Sequence, residues 1–322
     1  MIDPDSVRLQ VVSAVRRLIP PGSDHDVDML AKAGSFVIDL LPGPDGLAER
    51  DHDAAVRVLR TLAKIGSEQA WGKIRLFVAM HDSVVIDELL SAWRGFDYSE
   101  DYARTLLSHV EFGERVLDVR RWEVLCRLRY LTTLRAVKLI GNFSLADETA
   151  DQYPLADIPK LRSLELVANE VVRDLTPLAR CRTLRTLRVS RIASIRDLSG
   201  LAGSTVSELV LDIAAKGRNL AGVQSCTQLQ ELQLSAPVSD PEVDQLRGHP
   251  SLRVLRVTGA DPAERDRLRR ELPQLDIPGP AGGRRRRRAV SPMRPTWTRR
   301  ELPSPTPSIQ EQHFSAIWRT LE

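Results

Sequence analysis

The chain has 322 residues, 42% of them hydrophobic, which allows about two domains and a substantial buried core. Its formal charge of +3 is unevenly placed: from Pro278 to Glu322 nine arginines stand against three glutamates, a local +6 that leaves residues 1 to 277 at −3. The folded part is thus slightly acidic and the basic balance gives no argument for a nucleic-acid-binding domain, while three cysteines without CxxC spacing indicate neither a disulfide framework nor a zinc site.

The start, "MIDPDSVRLQ", has acids where a secretory signal has bases, and no run approaches the roughly 18 apolar residues of a membrane span. The expectation is a cytoplasmic protein with reduced thiols and no membrane span.

Residues 1–113 read as a helical, HEAT-like arm. "DHDAAVRVLRTLAKIG" places Ala55, Val58, Leu59, Leu62 and Ile65 on one face and stops at Gly66. "SEQAWGKIRLFVAM" restarts with Ser67 as cap and buries Trp71, Ile74, Phe77 and Val78. "DSVVIDELLSAW" follows with Val85, Ile86, Leu89, Leu90 and Trp93, and "SEDYARTLLSHV" completes the run; short links between such helices predict antiparallel hairpins.

Three motifs in this region mimic chemistry. "GSEQAWGKI" resembles a phosphate-binding loop, but five residues separate Gly66 from Gly72 and Ile74 stands where magnesium needs Ser or Thr. His25/Asp26, His52/Asp53 and His81/Asp82 repeat the His-Asp pair of metal-dependent phosphohydrolases, yet each falls at a helix start, where an acid caps free N–H groups. His109 lies near Glu111 and Glu114 with no second histidine at ligand spacing. No catalytic, cofactor-binding or metal-binding residue is assigned.

Residues 114–277 carry an internal period. "LRAVKL" at Leu134, "LRSLEL" at Leu161, "LRTLRV" at Leu184, "VSELVL" at Val206, "LQELQL" at Leu229 and "LRVLRV" at Leu252 are spaced by 27, 23, 22, 23 and 23 residues. This L-x-x-L-x-L pattern resembles the leucine-rich repeat, of the short internalin-like kind with an outer wall of 3₁₀ turns. The implied fold class is an α/β repeat solenoid with a parallel sheet on its concave face, preceded by an all-α region. The repeat also wants asparagine after each strand. Asn142 and Asn169 comply, while Ile192, Ala214, Pro237 and Ala260 do not, so the later turns must close by other means. Cys181 and Cys226 each precede a strand residue by three positions and are expected in the core. Leu117 and Val119, followed by Trp122, Leu125, Leu128 and Leu131, make an N-terminal capping coil.

Strand alternation turns one column of residues outward: Asp118, Lys138, Glu165, Arg188, Val210, Gln233 and Arg256, with Ser163 and Val167 beside Glu165. These residues form either a self-neutralising ladder or a partner surface, and the column holds no aromatic anchor.

The tail, 278–322, is rich in Pro, Gly, Arg and Ser and reads as disordered. Arg284 to Arg288 offer weak, nonspecific contact to nucleic acid, and Phe314, Ile317, Trp318 and Leu321 form a short amphipathic helix.

"LLSAWRGFDYSEDYARTLLSHV" passing directly into repeats is similar to the helical arm and repeat region of actinobacterial NACHT-type STAND NTPases, on the matching residues Trp93, Phe96, Asp97, Tyr102, Ala103 and Arg104. The likeness spans roughly residues 50 to 277. Walker A and Walker B motifs and the nucleotide-sensing histidine are absent from this sequence. The resemblance therefore implies a noncatalytic, cofactor-free sensor or protein-interaction module, working with a protein partner and with an NTPase module in cis or in trans. The competing readings are a metal-dependent phosphohydrolase built on the His-Asp pairs, and nucleic-acid tethering through the arginine tail.

Overall fold

The computed structural model describes residues 24–47, 51–145, 154–192, 195, 197–213 and 218–279. Ala214, the Arg284 to Arg288 run and the C-terminal amphipathic segment lie outside the described residues.

The first part is helical, with α1 at Asp24–Lys32, α2 at His52–Ile65, α3 at Glu68–Ile74, α4 at Ser83–Gly95 and α5 at Glu100–Thr105. Each boundary has a local cause. The Asp51 carboxylate accepts from the Ala54 N–H at 3.0 Å to open α2, and Gly66, at φ +67°, closes it with a bond to the Leu62 carbonyl. Ser67 caps α3, and Asp82 accepts from both Val84 and Val85 to cap α4. Ala55, Val58, Leu59, Leu62, Ile74, Phe77 and Trp93 are buried as their periodicity requires, while Trp71 in α3 and Val78 in the following 3₁₀ turn at Arg75–Met80 are half-buried.

The residues on which the STAND resemblance rests span the end of α4 (Trp93), the turn after it (Phe96 and Asp97) and α5 (Tyr102, Ala103 and Arg104). Asp97 and Tyr98 adopt positive φ of 47° and 53° in that turn. The strain is held by the Trp93 indole donating to the Ser99 carbonyl at 2.9 Å, and by the Tyr102 hydroxyl donating to the Leu89 carbonyl at 3.0 Å. The segment is thus a structural lock, and Arg127 ties it to the first coil by donating to the Tyr98 carbonyl at 2.5 Å.

Seven parallel strands follow in sequence order: β1 Val116–Val119, β2 Ala136–Ile140, β3 Ser163–Val167, β4 Thr186–Ser190, β5 Glu208–Asp212, β6 Glu231–Leu234 and β7 Val254–Val257. Every pair keeps the register that the repeat predicts: Val137, Leu164, Leu187, Leu209, Leu232 and Leu255 lie opposite one another, each 1% exposed or less. Burying each leucine contributes about 1.5–3 kcal/mol, and stacking is what hides them, since a single coil has no second wall. After β1, the helix α6 at Trp122–Arg127 buries Val124 and Leu125. The two edges differ. Beyond β7, Asp276 adds a parallel bridge to Val254, with the Leu255 N–H bonded to the Asp276 carbonyl at 3.0 Å.

The return segments are 3₁₀ turns at Thr176–Arg180, Ser199–Leu201 and Val223–Ser225, as expected for short repeats. In the last two coils they become the helices α7 at Asp240–Leu246 and α8 at Pro262–Glu271, each with a Ser or Asp at its N-cap and a proline in its first turn.

Turn closure changes along the chain. Asn169 is fully buried; its amide donates to the Phe143 carbonyl, and its oxygen accepts from the Val171 and Val172 N–H groups, all at 2.9 Å. Asn142 accepts from the Glu170 N–H at 2.8 Å. Where Pro237 replaces asparagine, Arg218 supplies the donors, reaching the carbonyls of Ala236 at 3.1 Å and Pro237 at 2.6 Å. At Ala260 the donor is Arg265, at 2.7 Å. These arginines are the other means of closure.

Candidate functional site

The outward column is assembled as expected. Asp118, Lys138, Glu165, Arg188, Val210, Gln233 and Arg256 are successive register partners across all seven strands. Seven strands in one parallel register, with 3₁₀ turns or short helices in the described returns after β1 and from β3 to β7, decide the architecture. The fold is a leucine-rich-repeat solenoid.

The solenoid's charges pair unevenly. Lys138 Nζ lies 3.4 Å from Glu165 Oε1, with both side chains about 30% exposed, and Arg256 reaches diagonally to Glu231 instead of across to Gln233. Glu165 therefore spends its charge on Lys138. Arg188, on the central strand β4, is exposed and makes no ion pair among the described residues; Asp118 on β1 is exposed and likewise unpaired. The ladder is neutralised between β2 and β3 and between β6 and β7, and left open at Arg188 in its centre and at Asp118 on its β1 end.

Two expectations need correction. Val210 and Val167 are each only 3% exposed, so neither presents a side chain to solvent. Val210 lies between the longer Arg188 and Gln233, and at a strand spacing of about 4.8 Å such neighbours screen a short branched side chain. Val167 ends its strand immediately before Ala168 at φ +52° and the buried Asn169, where the chain folds over the strand end. Ser163 and Gln233 are half-buried.

The row of Ser163 continues across the sheet beyond the residues the alternation names. Ser163, Thr186, Glu208 and Glu231 are register partners two residues before the column, and Thr186 donates to Glu208 at 3.3 Å. The signal was present, because the same two-residue alternation that picks out Glu165 also picks out Glu208 and Glu231. Glu208 adds a carboxylate beside the Arg188 strand, so the face offers charge of both signs around its middle.

The His-Asp pairs do not converge into a ligand set. His25 and Asp26 lie in the first turn of α1, His52 begins α2, and His81 precedes the capping Asp82. His52 Nδ1 approaches Asp82 Oδ1 at 3.4 Å, and among the described residues no three His, Cys, Asp or Glu side chains group as metal ligands. The cap of α2 is Asp51 and not Asp53, which sits one turn position too late to accept the free N–H groups. Cys181 and Cys226 are buried, 3% and 4% exposed; burial pushes their thiols up to about 12 and about 11. Asp157 adds to the shift at Cys181, and a bond from Ser225 opposes it at Cys226. They are protonated core side chains. No helix among the described residues is long and apolar enough to cross a membrane.

An internalin (inlF) from Listeria monocytogenes is similar over 51% of this chain and 52% of its own, at 21% identity and a TM-score of 0.28. The Leptospira interrogans leucine-rich-repeat protein LIC12759 is similar over 56% of this chain and 45% of its own, at 17% identity and a TM-score of 0.34. The chain thus spans about half the length of each, and the likeness concerns the fold alone. No protein-family profile and no curated protein matches the chain.

Proposed function

We propose that this chain is a noncatalytic protein-interaction module that binds a protein partner on the outward face of its sheet. The observation that carries this reading is Arg188: an exposed guanidinium on the middle strand, without a carboxylate partner among the described residues while Lys138 and Arg256 are each neutralised. Arginine is enriched among the few residues that dominate protein interfaces, because its planar fork binds carboxylates in pairs of hydrogen bonds. Asp118, Lys138, Ser163, Glu165, Gln233 and Arg256 flank it on the same surface, and the buried Val167 and Val210 stiffen it without touching the partner.

In this reading residues 1–113 form the arm, 114–277 the recognition solenoid and 278–322 a basic tail. The arm-to-repeat junction, with Trp93, Phe96, Asp97, Tyr102, Ala103 and Arg104, supports a sensor role in a NACHT/STAND-type signalling system, with an NTPase module in cis or in trans. Partner binding would shift that system by its differential affinity for two states. The buried, protonated thiols suit a reducing, cytoplasmic setting.

The test couples two measurements. Chemical cross-linking of the full chain in its native cells identifies a partner, which is then titrated as purified protein against wild type and Arg188→Glu. The expected loss is at least about tenfold in affinity, as for an interfacial charge reversal. Equal affinity would remove the face from the proposal. Manganese-dependent phosphoester turnover abolished by His52→Ala would overturn the noncatalytic reading as a whole.

A further inference from the structure

A second surface lies away from the outward face, along the outer edge of β1. A cleft of about 580 Å³ runs there, and its lining includes Leu117, Asp118, Val119, Arg120 and Arg121 in unbroken succession. Side chains of consecutive strand residues point to opposite faces of a sheet. A cleft that touches Leu117, Asp118 and Val119 of β1 in succession, and runs on past the strand's end to Arg120 and Arg121, therefore follows the strand's edge, where alternate residues direct their N–H and C=O away from β2. β1 is the end strand of the sheet order, whereas β7 at the other end is already bridged by Asp276.

The opposite wall of the cleft is a helix face. Asp87, Leu90, Ser91 and Arg94 of α4 are spaced at i, i+3, i+4 and i+7 and so line up on one side. Buried Trp93, Val119 and Val124 form the apolar floor. Helix wall, open strand edge and apolar floor together make a slot of about 580 Å³ alongside β1.

The ends of the slot differ in charge. At one end Asp87 is taken up by an ion pair with Arg115. At the other, Arg94 donates only to the Tyr98 hydroxyl, at 3.2 Å, and Arg120 is exposed with no ion pair among the described residues. Arg121 stacks over the Tyr98 ring at 5.3 Å and has only the exposed Asp97 and Glu123, at 3.6 and 3.5 Å. This end is cationic and under-neutralised.

We infer that the slot binds an extended, acidic peptide segment of a partner protein, which adds to β1 as an eighth strand and places its carboxylates against Arg94, Arg120 and Arg121. Backbone hydrogen bonds to the strand edge supply affinity, and the arginine end sets specificity. A second copy of the chain is a poor occupant, because its own β1 would bring Arg115, Arg120 and Arg121 to a site that already carries these cations.

The experiment uses the full chain and a panel of fluorescein-labelled hexapeptides of alternating valine and threonine. One ends in two glutamates, one in two lysines, and a third carries the glutamates with every second amide N-methylated. Fluorescence anisotropy should show saturable binding of the first peptide, weakened at least about tenfold in the other two. The same loss is expected with the double variant Arg94→Glu, Arg120→Glu, whose sites are exposed and whose folding circular dichroism confirms. Hydrogen exchange should slow at residues 117–121 when the first peptide is bound. Failure of the glutamate peptide to saturate at millimolar concentration overturns the inference, as does equal binding of all three peptides. Concentration-dependent self-association lost in Arg120→Glu would replace it with a homodimer edge. Because none of these residues except Asp118 belongs to the outward column, the result stands apart from the Arg188 titration.

Discussion

The guanidinium of Arg218 is fully enclosed and bound in parallel by the carboxylate of Glu242, with Nε to Oε1 at 2.6 Å and a terminal nitrogen to Oε2 at 2.8 Å. The same carboxylate accepts from the Ser239 N–H and hydroxyl at the start of α7. One pair thus closes the turn at Pro237 and anchors the next helix.

Removing one partner should be worse than removing both. Glu242→Ala strands a buried guanidinium and is expected to cost about 3–5 kcal/mol in urea unfolding, whereas Arg218→Met with Glu242→Leu should cost clearly less. Burial pushes the Glu242 carboxyl up, but the bonds from Arg218 and Ser239 outweigh it and hold it below 4.5. A carboxyl lowered in the folded state stabilises fully above its unfolded value, so this contribution should vanish as pH falls from about 4.5 through the folded value. A Glu242→Gln chain with unchanged acid sensitivity would contradict it.

His249 makes a second, separate pH signature. It occupies the position that holds Cys181 and Cys226 in neighbouring coils, three residues before a strand leucine. Its Nδ1 accepts from the Ser251 and Leu252 N–H groups at 3.3 and 3.0 Å, so the Nε2 proton faces the Val223 carbonyl at 2.9 Å. Burial lowers its pKa below 6.5, and the Val223 carbonyl partly opposes the shift. The unfolded chain therefore binds a proton first, and stability should erode as pH drops below about 6.5. His249→Cys should flatten thermal stability between pH 8 and pH 5.5; a slope unchanged by that substitution would assign the effect elsewhere.

Coil spacing on the outer wall depends on glycine. A Cβ at Gly200 would sit 2.4 Å from the Thr176 nitrogen, and one at Gly222, where φ is +79°, 2.5 Å from the Ser199 nitrogen. Alanine at either site should destabilise by about 1–3 kcal/mol, more at Gly222 because its backbone angle adds strain. Gly72, in the phosphate-loop mimic, meets nothing within 4 Å and lies in α3, so Gly72→Ala should stabilise by about 0.5–1 kcal/mol. Equal unfolding midpoints for all three would refute the packing account.

The thiols of Cys181 and Cys226 should resist an aromatic disulfide reagent at pH 8 in the folded chain and react with the unfolding midpoint in urea. Rapid native reaction would mean that the solenoid opens locally at these coils.

The period of the repeats carried a great deal. Once Leu134, Leu161, Leu184, Val206, Leu229 and Leu252 were aligned, the register of the outward column followed residue by residue, because stacking lets each coil repeat its neighbour's geometry. What alternation could not give was coverage: it states which way Val210 points, not that Arg188 and Gln233 screen it. Nor could it pair Arg218 with Glu242, which lie 24 residues apart and meet only because one coil stacks on the next. The edge cleft was hidden for the same reason, since α4 and β1 become its two walls only after folding. The capping aspartates, being local, were readable at Asp82 and missed by two positions at Asp51.

The unequal ends of the sheet have a consequence for stoichiometry. Among the described residues β1 is paired on one side only, whereas at the far margin Asp276 covers β7 at Val254. A unit with one point of attachment ends a polymer instead of extending it. Strand addition at β1, as inferred above, is therefore expected to give discrete complexes, because a further strand arriving at β7 would meet Asp276 first.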